Sequence, residues 1–276
     1  KCPYSRIRKR PLPEETPSLW NSSDAYDLYM GRWSRMVAPL FLDWLDAPAD
    51  RTWIDIGCGS GGLTHQIAVR CSPSKLLGID FSGGFVESAK TQVPSADFSV
   101  ESAAELELPD RSMDLAVSGL VLNFVPDSGK VISEMARIVR PGGTVASYVW
   151  DYAGHMQIMR YFFDSALEID KGASSLDDGV NAPICRPQSL TDAFNAAGLV
   201  DVETTAIDIP TPFLDFDDYW SPFLGGTGSA PRYCMSLDES TRDRIKTSIQ
   251  AKLPTGPDGE ILLAARAWAV KGTVRS

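Results

Sequence analysis

The chain has 276 residues, 43% hydrophobic and 22% charged, a composition typical of a globular protein with one sizeable core. A formal net charge of −10 disfavours nucleic acid or an anionic membrane as a partner through bulk electrostatics. The five cysteines form no C-x-x-C pair, which argues against a disulfide scaffold and favours a reducing, cytoplasmic location. We also find no run of the roughly 18 apolar residues that a membrane span requires.

The N-terminal part of the chain divides into an arm and a helical segment. Residues 1–25 are rich in proline, serine and charge and are predicted to form an arm. From Tyr26 to Leu45 the apolar residues recur at spacings near three and four. This spacing predicts one or two amphipathic helices, with Pro39 tolerated in the first turn of the second.

A glycine-rich turn follows in the segment TWIDIGCGSGG, residues 52–62. An apolar run leads into the glycines, and LTHQIAV continues with helical spacing, so the pattern predicts strand, tight turn and helix. Gly57, Gly59 and Gly61 allow a positive φ and a close approach of the backbone to a ligand. The free N–H groups of the helix N-terminus favour an electron-rich group. The turn therefore predicts a site for a nucleotide-like cofactor.

Two cofactors fit a turn of this kind. Gly57, Gly59 and Gly62 satisfy the dinucleotide pattern G-x-G-x-x-G, with Asp80 near the position of its ribose-binding acid. Asp55, however, lies in the strand just before the turn, and a buried carboxylate needs amides or a cationic ligand to offset its desolvation. The string D-I-G-C-G-S-G-G resembles the first motif of class I S-adenosylmethionine (SAM) methyltransferases. SAM carries an ammonium and a sulfonium where NAD carries a pyrophosphate, so we favour SAM.

Further strands follow in order along the chain. They are predicted within KLLGIDFS (ending at Asp80), ADFSV, MDLAVSG (ending at Gly119), TVASYVW, VDVETTAIDI and GEILLAARAWAVKG. The helix SGKVISEMARIVR is predicted to stop at Pro141-Gly142-Gly143, just before the fifth strand. The segments L-P-D-R-S-M-D and E-M-x-R-I-V-R-P-G-G-T resemble two further methyltransferase motifs.

This resemblance covers residues 26–150 by motif and residues 187–276 by pattern. It implies an α/β fold with a Rossmann-like, doubly wound sheet of seven strands, in which the antiparallel last strand lies between the fifth and the sixth. We assign residues 26–276 to one methyltransferase domain. Residues 151–187 and 210–256 are predicted to be helical cap insertions, since long insertions in compact domains tend to be functional.

The resemblance also implies a set of cofactor-binding residues. The turn contributes Asp55, Gly57, Cys58, Gly59 and Gly61; later strand ends contribute Asp80, Phe81, Ser102, Ala103 and Gly119; the first helix contributes Arg32 and Tyr26. Asp80 would accept both ribose hydroxyls, and Phe81 would border the adenine. Arg32, with Tyr26 beside it, would meet the methionine carboxylate of SAM. Ser102 stands where the family has an aspartate, so Glu101 or Glu105 is an alternative reader of adenine.

Three of these residues, and Asn123 outside the set, also have an ordinary structural interpretation. Cys58 behaves as a small hydrophobe packed under the turn. Asp80 is a reasonable cap for the following helix, and Arg32 is a reasonable solvated residue. Asn123 either orients a substrate or hydrogen-bonds the backbone near a turn.

The predicted reaction is in-line transfer of the SAM methyl group to a small acceptor, leaving S-adenosylhomocysteine. The aromatic and methionine-rich cap composition predicts a partly hydrophobic acceptor. We assign no catalytic residue and no metal; His155, at the start of the first insertion, is the leading candidate if a base is needed. The alternatives are a SAM-binding or cyclase-like protein and, less favoured, a nicotinamide oxidoreductase, which would lack the antiparallel final strand. The sequence leaves the oligomeric state open.

Overall fold

The computed structural model describes residues 30–226 and 228–276. Its strands are β1 Thr52–Ile56, β2 Lys75–Asp80, β3 Asp97–Val100, β4 Met113–Gly119, β5 Val139–Trp150, β6 Leu199–Phe213 and β7 Ile261–Val274. The helices are α1 Arg32–Leu45, α2 Gly62–Arg70, α3 Gly83–Gln92, α4 Ser128–Ile138, α5 Gln157–Ile169, α6 Asp178–Asn181, α7 Pro187–Ala196, α8 Phe216–Trp220, α9 Ser229–Ser236 and α10 Glu239–Lys252. Two 3-10 helices lie at Lys171–Leu176 and Ser221–Gly225.

All seven strands belong to one sheet in the order β3-β2-β1-β4-β5-β7-β6. Strands β1 to β5 pair in parallel, whereas β7 runs antiparallel between β5 and β6. The predicted fold class and the predicted place of the last strand are therefore confirmed. The strand order reverses between β1 and β4, and open α/β sheets bind ligands in the crevice at such a switch point.

The core is centred on the middle strands of this sheet. The four residues from Trp53 to Ile56 in β1 are buried, as are the six residues from Met113 to Ser118 in β4. Helix α4 buries a stripe of apolar residues (Val131, Ile132, Met135 and Ile138) at the spacing of one helix face. A strand buried on both faces is held in register by side chains on either side, so its carboxyl end is a fixed point for a site.

Strands β6 and β7 form a long hairpin that extends past the rest of the sheet. Trp150, the last residue of β5, lies opposite Ala267, and Ala267 lies opposite Ile207 of β6. Strand β6 then continues to Phe213, six residues further, which corresponds to about 20 Å of contour length. The end of this hairpin carries residues 214–260, which include most of the segment that we predicted to be the second insertion, beyond the carboxyl edge of the central strands.

Strand β5 begins earlier than we predicted from the sequence. Helix α4 ends at Ile138, and the chain is already extended at Val139, which pairs with Met113. The prediction that the helix would continue until it stopped at Pro141-Gly142-Gly143 was therefore wrong. An irregularity in the register between Met113 and Leu115, together with the positive φ of +77° at Gly142, allows the proline-glycine segment to enter the strand.

The two segments that we predicted to be cap insertions, residues 151–187 and 210–256, pack against each other through aromatic rings, which we call the cap cluster: Phe162, Phe163, Tyr219, Trp220, Phe223 and Tyr233. The rings of Phe162 and Phe223 stack with their centroids 4.6 Å apart. The Tyr219 hydroxyl donates a hydrogen bond to the carbonyl of Ile158 at 2.9 Å. Within residues 30–226 and 228–276, no helix is both long and apolar enough to cross a membrane.

Candidate functional site

The glycine turn joins the buried end of β1 to helix α2. The backbone N–H groups of Gly57 and Cys58 both donate to the carbonyl of Ile79 at 2.8 Å, which ties the turn to the end of β2. Gly57 has a φ of +74°, and a Cβ built there would lie 2.4 Å from Cγ2 of Val121. Only glycine fits this position, because both the left-handed backbone and the close packing exclude a side chain.

The other glycines of the turn have different surroundings. Gly59 has a φ of +53°, and a Cβ added to it would meet open space within 4 Å. Gly61, with a φ of +95°, is the residue before α2, and no described side chain caps that helix. The turn therefore presents an uncapped helix N-terminus beside an open volume, an arrangement that suits a bound ligand.

Asp55 is a buried carboxylate that the described residues pair only in part. It is 1% exposed, and its Oδ2 accepts a hydrogen bond of 2.6 Å from the hydroxyl of Thr64. Its Oδ1 is buried and has no partner among residues 30–226 and 228–276. Desolvation raises the pKa of Asp55 to about 7; the Thr64 hydrogen bond lowers it in part and the charge of Asp80 raises it further. A cationic group beside Oδ1 would stabilise the ionised carboxylate.

Asp80 connects the glycine turn to the end of β2. Its carboxylate accepts hydrogen bonds from the backbone N–H of Gly59 at 3.0 Å and of Ser82 at 2.9 Å. Burial is the main cause of its raised pKa, against which these hydrogen bonds act. The alternative that Asp80 caps helix α3 is wrong, because Ser82 is the capping residue.

Two further residues of the predicted cofactor set, Cys58 and Phe81, differ in their exposure. Cys58 is buried, and its Sγ lies 3.2 Å from a Cβ built on Gly78 of β2, as expected for a small packed residue. Burial raises the pKa of the Cys58 thiol, so it is a poor nucleophile. Phe81, in contrast, is 59% exposed directly after the end of β2. An apolar ring left in solvent at this edge is available to a flat ligand.

The loop after β3 holds the pair that was predicted to read adenine. Ser102 is exposed, and its hydroxyl accepts a 3.3 Å hydrogen bond from the backbone N–H of Ala104. The alternative reader Glu101 is occupied, since its oxygens accept from the Ser99 hydroxyl at 2.6 Å and from the Glu107 N–H at 3.0 Å. No described backbone hydrogen bond uses the N–H of Ala103.

Strand β4 ends at Gly119, where a Cβ would lie 2.5 Å from the Tyr148 hydroxyl oxygen. Its close neighbour Leu120 has a φ of +62°, so the chain turns sharply as it leaves the strand. In the loop that follows, Nδ2 of Asn123 is buried with no partner among the described residues. No described contact therefore supports the interpretation that the Asn123 side chain hydrogen-bonds the backbone near a turn.

None of the contacts described for the Arg32 guanidinium is with a residue of the glycine turn. Its Nη1 donates to both carboxylate oxygens of Asp218, at 3.1 and 3.4 Å, and Asp218 belongs to the second insertion. The guanidinium also lies over the rings of Trp33, at 4.3 Å, and Phe213, at 4.7 Å. Tyr26, its predicted partner, lies outside the described residues.

The backbone N–H of His65 donates to the carbonyl of Gly61 at 2.8 Å, but no described hydrogen bond joins either histidine side chain to the turn. His65 is exposed on helix α2, and the backbone N–H of His155 donates to Asp151 at 2.9 Å, as expected for a residue before a helix. Within the described part of the chain, no cluster of three or more His, Cys, Asp or Glu side chains is arranged to hold a metal ion.

Sequence reasoning missed two residues that shape this site. Thr64 faces inward from α2, and the only signal for it was a hydroxyl on the apolar face of that helix. Asp218 had no signal, because it lies 186 residues from Arg32 in the sequence.

Comparison with known proteins shows what the chain is similar to. A family model described as "Methyltransferase domain" matches residues 54–147, from within β1 to within β5. Trans-aconitate 2-methyltransferase of Methylobacterium radiotolerans is 35% identical over 102 residues, which cover 37% of this chain and 38% of that protein. The Deinococcus radiodurans protein of the same name is 27% identical over 212 residues, or 75% of this chain and 80% of that protein.

A solved structure supports the same class at the level of the fold. Phosphoethanolamine N-methyltransferase 2 of Haemonchus contortus, in complex with phosphomonomethylethanolamine and S-adenosylhomocysteine, matches with a TM-score of 0.57. The identity is 15%, and the match covers 92% of this chain and 57% of that one. The family model, the relatives named as methyltransferases and the fold together support a class I SAM-dependent methyltransferase. The first relative is matched over well under half of its own length.

SAM is the cofactor of this family, and the turn fits it. The unpaired Oδ1 of Asp55 suits a cationic ligand better than a pyrophosphate. The antiparallel β7 between β5 and β6 likewise differs from what we expected for a nicotinamide oxidoreductase.

Proposed function

We propose that this chain is a cytoplasmic enzyme that transfers the methyl group of SAM to a small acceptor with an apolar part. The observation that carries the proposal is the buried Oδ1 of Asp55, which no described residue pairs and which lies beside a turn that only glycine can form. An unpaired buried carboxylate oxygen is costly, and a cationic cofactor would offset that cost.

The cofactor would be held by residues from four loops at the carboxyl edge of the sheet. They are Asp55, Gly57, Cys58, Gly59 and Gly61 after β1, Asp80 and Phe81 after β2, Ser102 and Ala103 after β3, and Gly119 at the end of β4. The open space over Gly59 and the exposed ring of Phe81 support these assignments. Asp80 has both oxygens engaged by backbone N–H groups, and each oxygen retains a lone pair for a ribose hydroxyl.

The acceptor would lie between the carboxyl edge and the insertions. Its small size is supported by the relatives named for trans-aconitate, a small organic acid. The cap-cluster aromatics, which first suggested an apolar acceptor, are buried against one another and support that inference less than their composition did. Phe124, 37% exposed after β4, is the better support for an apolar contact.

Methyl transfer requires the protein mainly to align the acceptor with the methyl group of SAM. Bound SAM would supply an electrophilic methyl group: a lone pair of the acceptor would displace it from sulfur, and the electron pair of the broken carbon–sulfur bond would stay on sulfur. Because the positive charge is already present on the sulfonium, the chain contributes position and exclusion of water. A base is required only for an acceptor that carries a proton at the attacking atom.

The cofactor is tested by thermal shift with SAM, S-adenosylhomocysteine and NADH, on the wild type and on Asp55→Asn. A ligand at a hundredfold excess over Kd adds about 2.7 kcal/mol, which for a domain of this size raises the Tm by roughly 5–10 °C. We expect a rise with both adenosyl ligands, a smaller rise in the variant and none with NADH. A rise with NADH alone would overturn the proposal.

Methyl transfer itself is tested separately, because a SAM-binding or cyclase-like protein would give the same thermal shift. Methyl-labelled SAM is incubated with the enzyme and a set of small acceptors that includes trans-aconitate. We expect label in an acceptor and the formation of S-adenosylhomocysteine. Strong SAM binding with no labelled product across acids, phenols and amines would favour the alternative.

A further inference from the structure

The end of the β6–β7 hairpin exposes an apolar face. Leu214 is 82% exposed and Leu262 is 67% exposed, the two highest values among the large apolar side chains of residues 30–226 and 228–276. Leu262 lies opposite Pro212 of β6, and Leu214 follows Pro212 by two residues. Pro210, the preceding residue on this face of β6, is exposed as well. These four residues form one surface, which we call the hairpin strip.

The opposite face of the same hairpin is packed into the core. Its side chains alternate with those of the hairpin strip along each strand, and they are buried: Ile207, Ile209, Phe213, Ile261 and Leu263. An antiparallel pair of strands with one face in the core is expected to carry polar residues on the other. Here the second face is apolar as well, and an exposed apolar patch of this kind commonly marks a contact surface for another molecule.

The free edge of β6 disfavours a partner that binds as an added strand. The N–H of Ala264 donates to the side-chain oxygen of Gln157 at 2.7 Å, so it points away from β6. Pro210 lies opposite Ala264, and both nitrogens of such a pair in an antiparallel ladder point outward. An added strand would therefore meet a proline nitrogen at Pro210, and again at Pro212, where it needs an N–H donor. A partner would contact the face of the hairpin instead.

The charges around the hairpin strip fit a second copy of the chain. With a net charge of −10, two copies repel each other over most of their surface. At the base of the strip, Arg266 donates to the two oxygens of Asp208 at 2.7 and 2.8 Å, which leaves this part of the surface neutral. The tip is acidic, since Asp215 and Asp258 are exposed there. If two hairpins cross antiparallel about a twofold axis, the acidic tip of each lies over the Arg266 base of the other.

We propose that the hairpin strip is the contact surface of a homodimer, in which the strips of two copies pack face to face and antiparallel. The two leucines form the apolar centre of the contact, and the charged groups at base and tip form its rim. Four apolar residues cover less than the roughly 800 Å² per copy that a standard stable interface buries, so we expect a dimer that dissociates in the micromolar range. No residue of the strip belongs to the proposed cofactor set, so the dimer does not depend on the proposed function.

Sedimentation velocity of the full chain tests the dimer, over concentrations from about 1 to 100 µM that bracket a micromolar Kd. The wild type should move from 30.1 kDa towards twice that mass as the concentration rises. Leu262→Glu puts a charge at the centre of the strip and should weaken dimerisation at least tenfold. Val69→Glu is the matched control, because Val69 is 62% exposed on α2 and receives the same charge. It should dimerise as the wild type does.

Two results of this experiment would overturn the proposal. One is a wild type that stays at 30.1 kDa throughout the series. The other is equal dimerisation by the wild type and both variants. Because Leu262 is exposed, Leu262→Glu should keep the thermal unfolding curve of the wild type at the lowest concentration, where all three proteins are monomeric.

Labelling of Leu262→Cys with a maleimide distinguishes a second copy from a segment of the same chain as the occupant of the strip. The labelled peptide is quantified by mass spectrometry, with Val69→Cys as the control for reagent access. The thiol at position 262 should react fast well below the Kd and slowly well above it, whereas the control should react at one rate. Slow labelling at every concentration would assign the strip to another segment of the same chain. Fast labelling at every concentration would place any dimer contact elsewhere, and either result would contradict the proposal.

Discussion

The glycine turn and the cap cluster differ in how completely the described residues pair their buried groups. At the turn, one oxygen of a buried carboxylate is left unpaired by the described residues, and at Gly57 the left-handed backbone and the close packing of Val121 exclude a side chain. In the cap cluster, aromatic rings stack on one another and the Tyr219 hydroxyl has its acceptor. The proposed cofactor would complete the turn, whereas the cap cluster is completed by the protein.

This contrast predicts that substitutions in the two regions will separate stability from ligand binding. A side chain that fills the cap cluster should affect the free energy of unfolding far more than cofactor affinity. A residue of the turn should affect affinity, and its removal is even expected to stabilise the ligand-free protein in one case. Three substitutions test the contrast, in order of their expected effect.

Phe162→Ala should have the largest effect on stability. Phe162 is fully buried and stacks on Phe223, so truncation leaves a cavity and should cost about 3–5 kcal/mol in urea unfolding. The affinity for SAM, measured on the folded fraction, should hardly change. The matched control is Phe81→Ala, an exposed phenylalanine at the proposed adenine edge, which should change stability by no more than about 0.5 kcal/mol but weaken SAM binding. If Phe81→Ala lowered the stability and Phe162→Ala weakened SAM binding, the distinction between the two regions would be wrong.

Asp55→Asn should change the pH dependence of stability. Because burial raises the pKa of Asp55 to about 7 in the folded chain, from an ordinary value of 3.8, the folded chain keeps this proton between these two pH values while the unfolded chain has lost it. The unfolding free energy of the ligand-free wild type should therefore fall as pH rises from about 4 to 7. Above pH 7 the variant should be more stable, by on the order of 2–4 kcal/mol.

Cofactor binding should show the opposite sign for the same residue. A cationic ligand favours the ionised carboxylate, so SAM should bind the wild type more tightly at pH 8 than at pH 6. Asp55→Asn should bind SAM more weakly and with a flatter profile. Exposed Asp164→Asn is the control and should alter neither curve. A variant that is less stable than the wild type at pH 8 would show that Asp55 already has a partner.

Gly57→Ala should have a smaller effect on stability and a clear one on affinity. The new methyl group would lie 2.4 Å from Cγ2 of Val121 at a φ of +74°, so the turn must shift, at a cost of about 1–3 kcal/mol. Gly84→Ala, within α3 and with only the Ser82 hydroxyl near, should instead be neutral or stabilise by up to about 1 kcal/mol. Calorimetric titration with SAM should show weaker binding in Gly57→Ala alone.

Much of the sheet and the glycine turn could be predicted because their signals are local. Asp55 and the glycines lie within one short segment, where apolar run, carboxylate and backbone freedom combine into a single pattern. The cap could not be interpreted in the same way. Helical spacing shows that Phe162 and Phe163 lie on a buried face, but a ligand and a neighbouring helix are equally apolar surroundings for them. The start of β5 at Val139 depended on its pairing with Met113, which the sequence does not reveal.

The pairing of Arg32 with Asp218 illustrates the same limit over a longer distance. Each residue alone is an ordinary charged side chain near a helix start, and 186 residues separate them. Their meeting depends on how far the β6–β7 hairpin extends and where helix α1 crosses it. Only the assembled fold shows that two guanidinium nitrogens remain without a described partner.

The carbonyl of Ile79 accepts hydrogen bonds from the N–H groups of both Gly57 and Cys58, and the Asp80 carboxylate accepts one from the N–H of Gly59. These hydrogen bonds join the carboxyl ends of β1 and β2 into one rigid unit. A ligand that spans both ends gains from chelation, since the second contact forms without further loss of rotational freedom. Adenosine and methionine supplied as separate fragments should consequently bind much more weakly than their linked form, even though every contact remains the same.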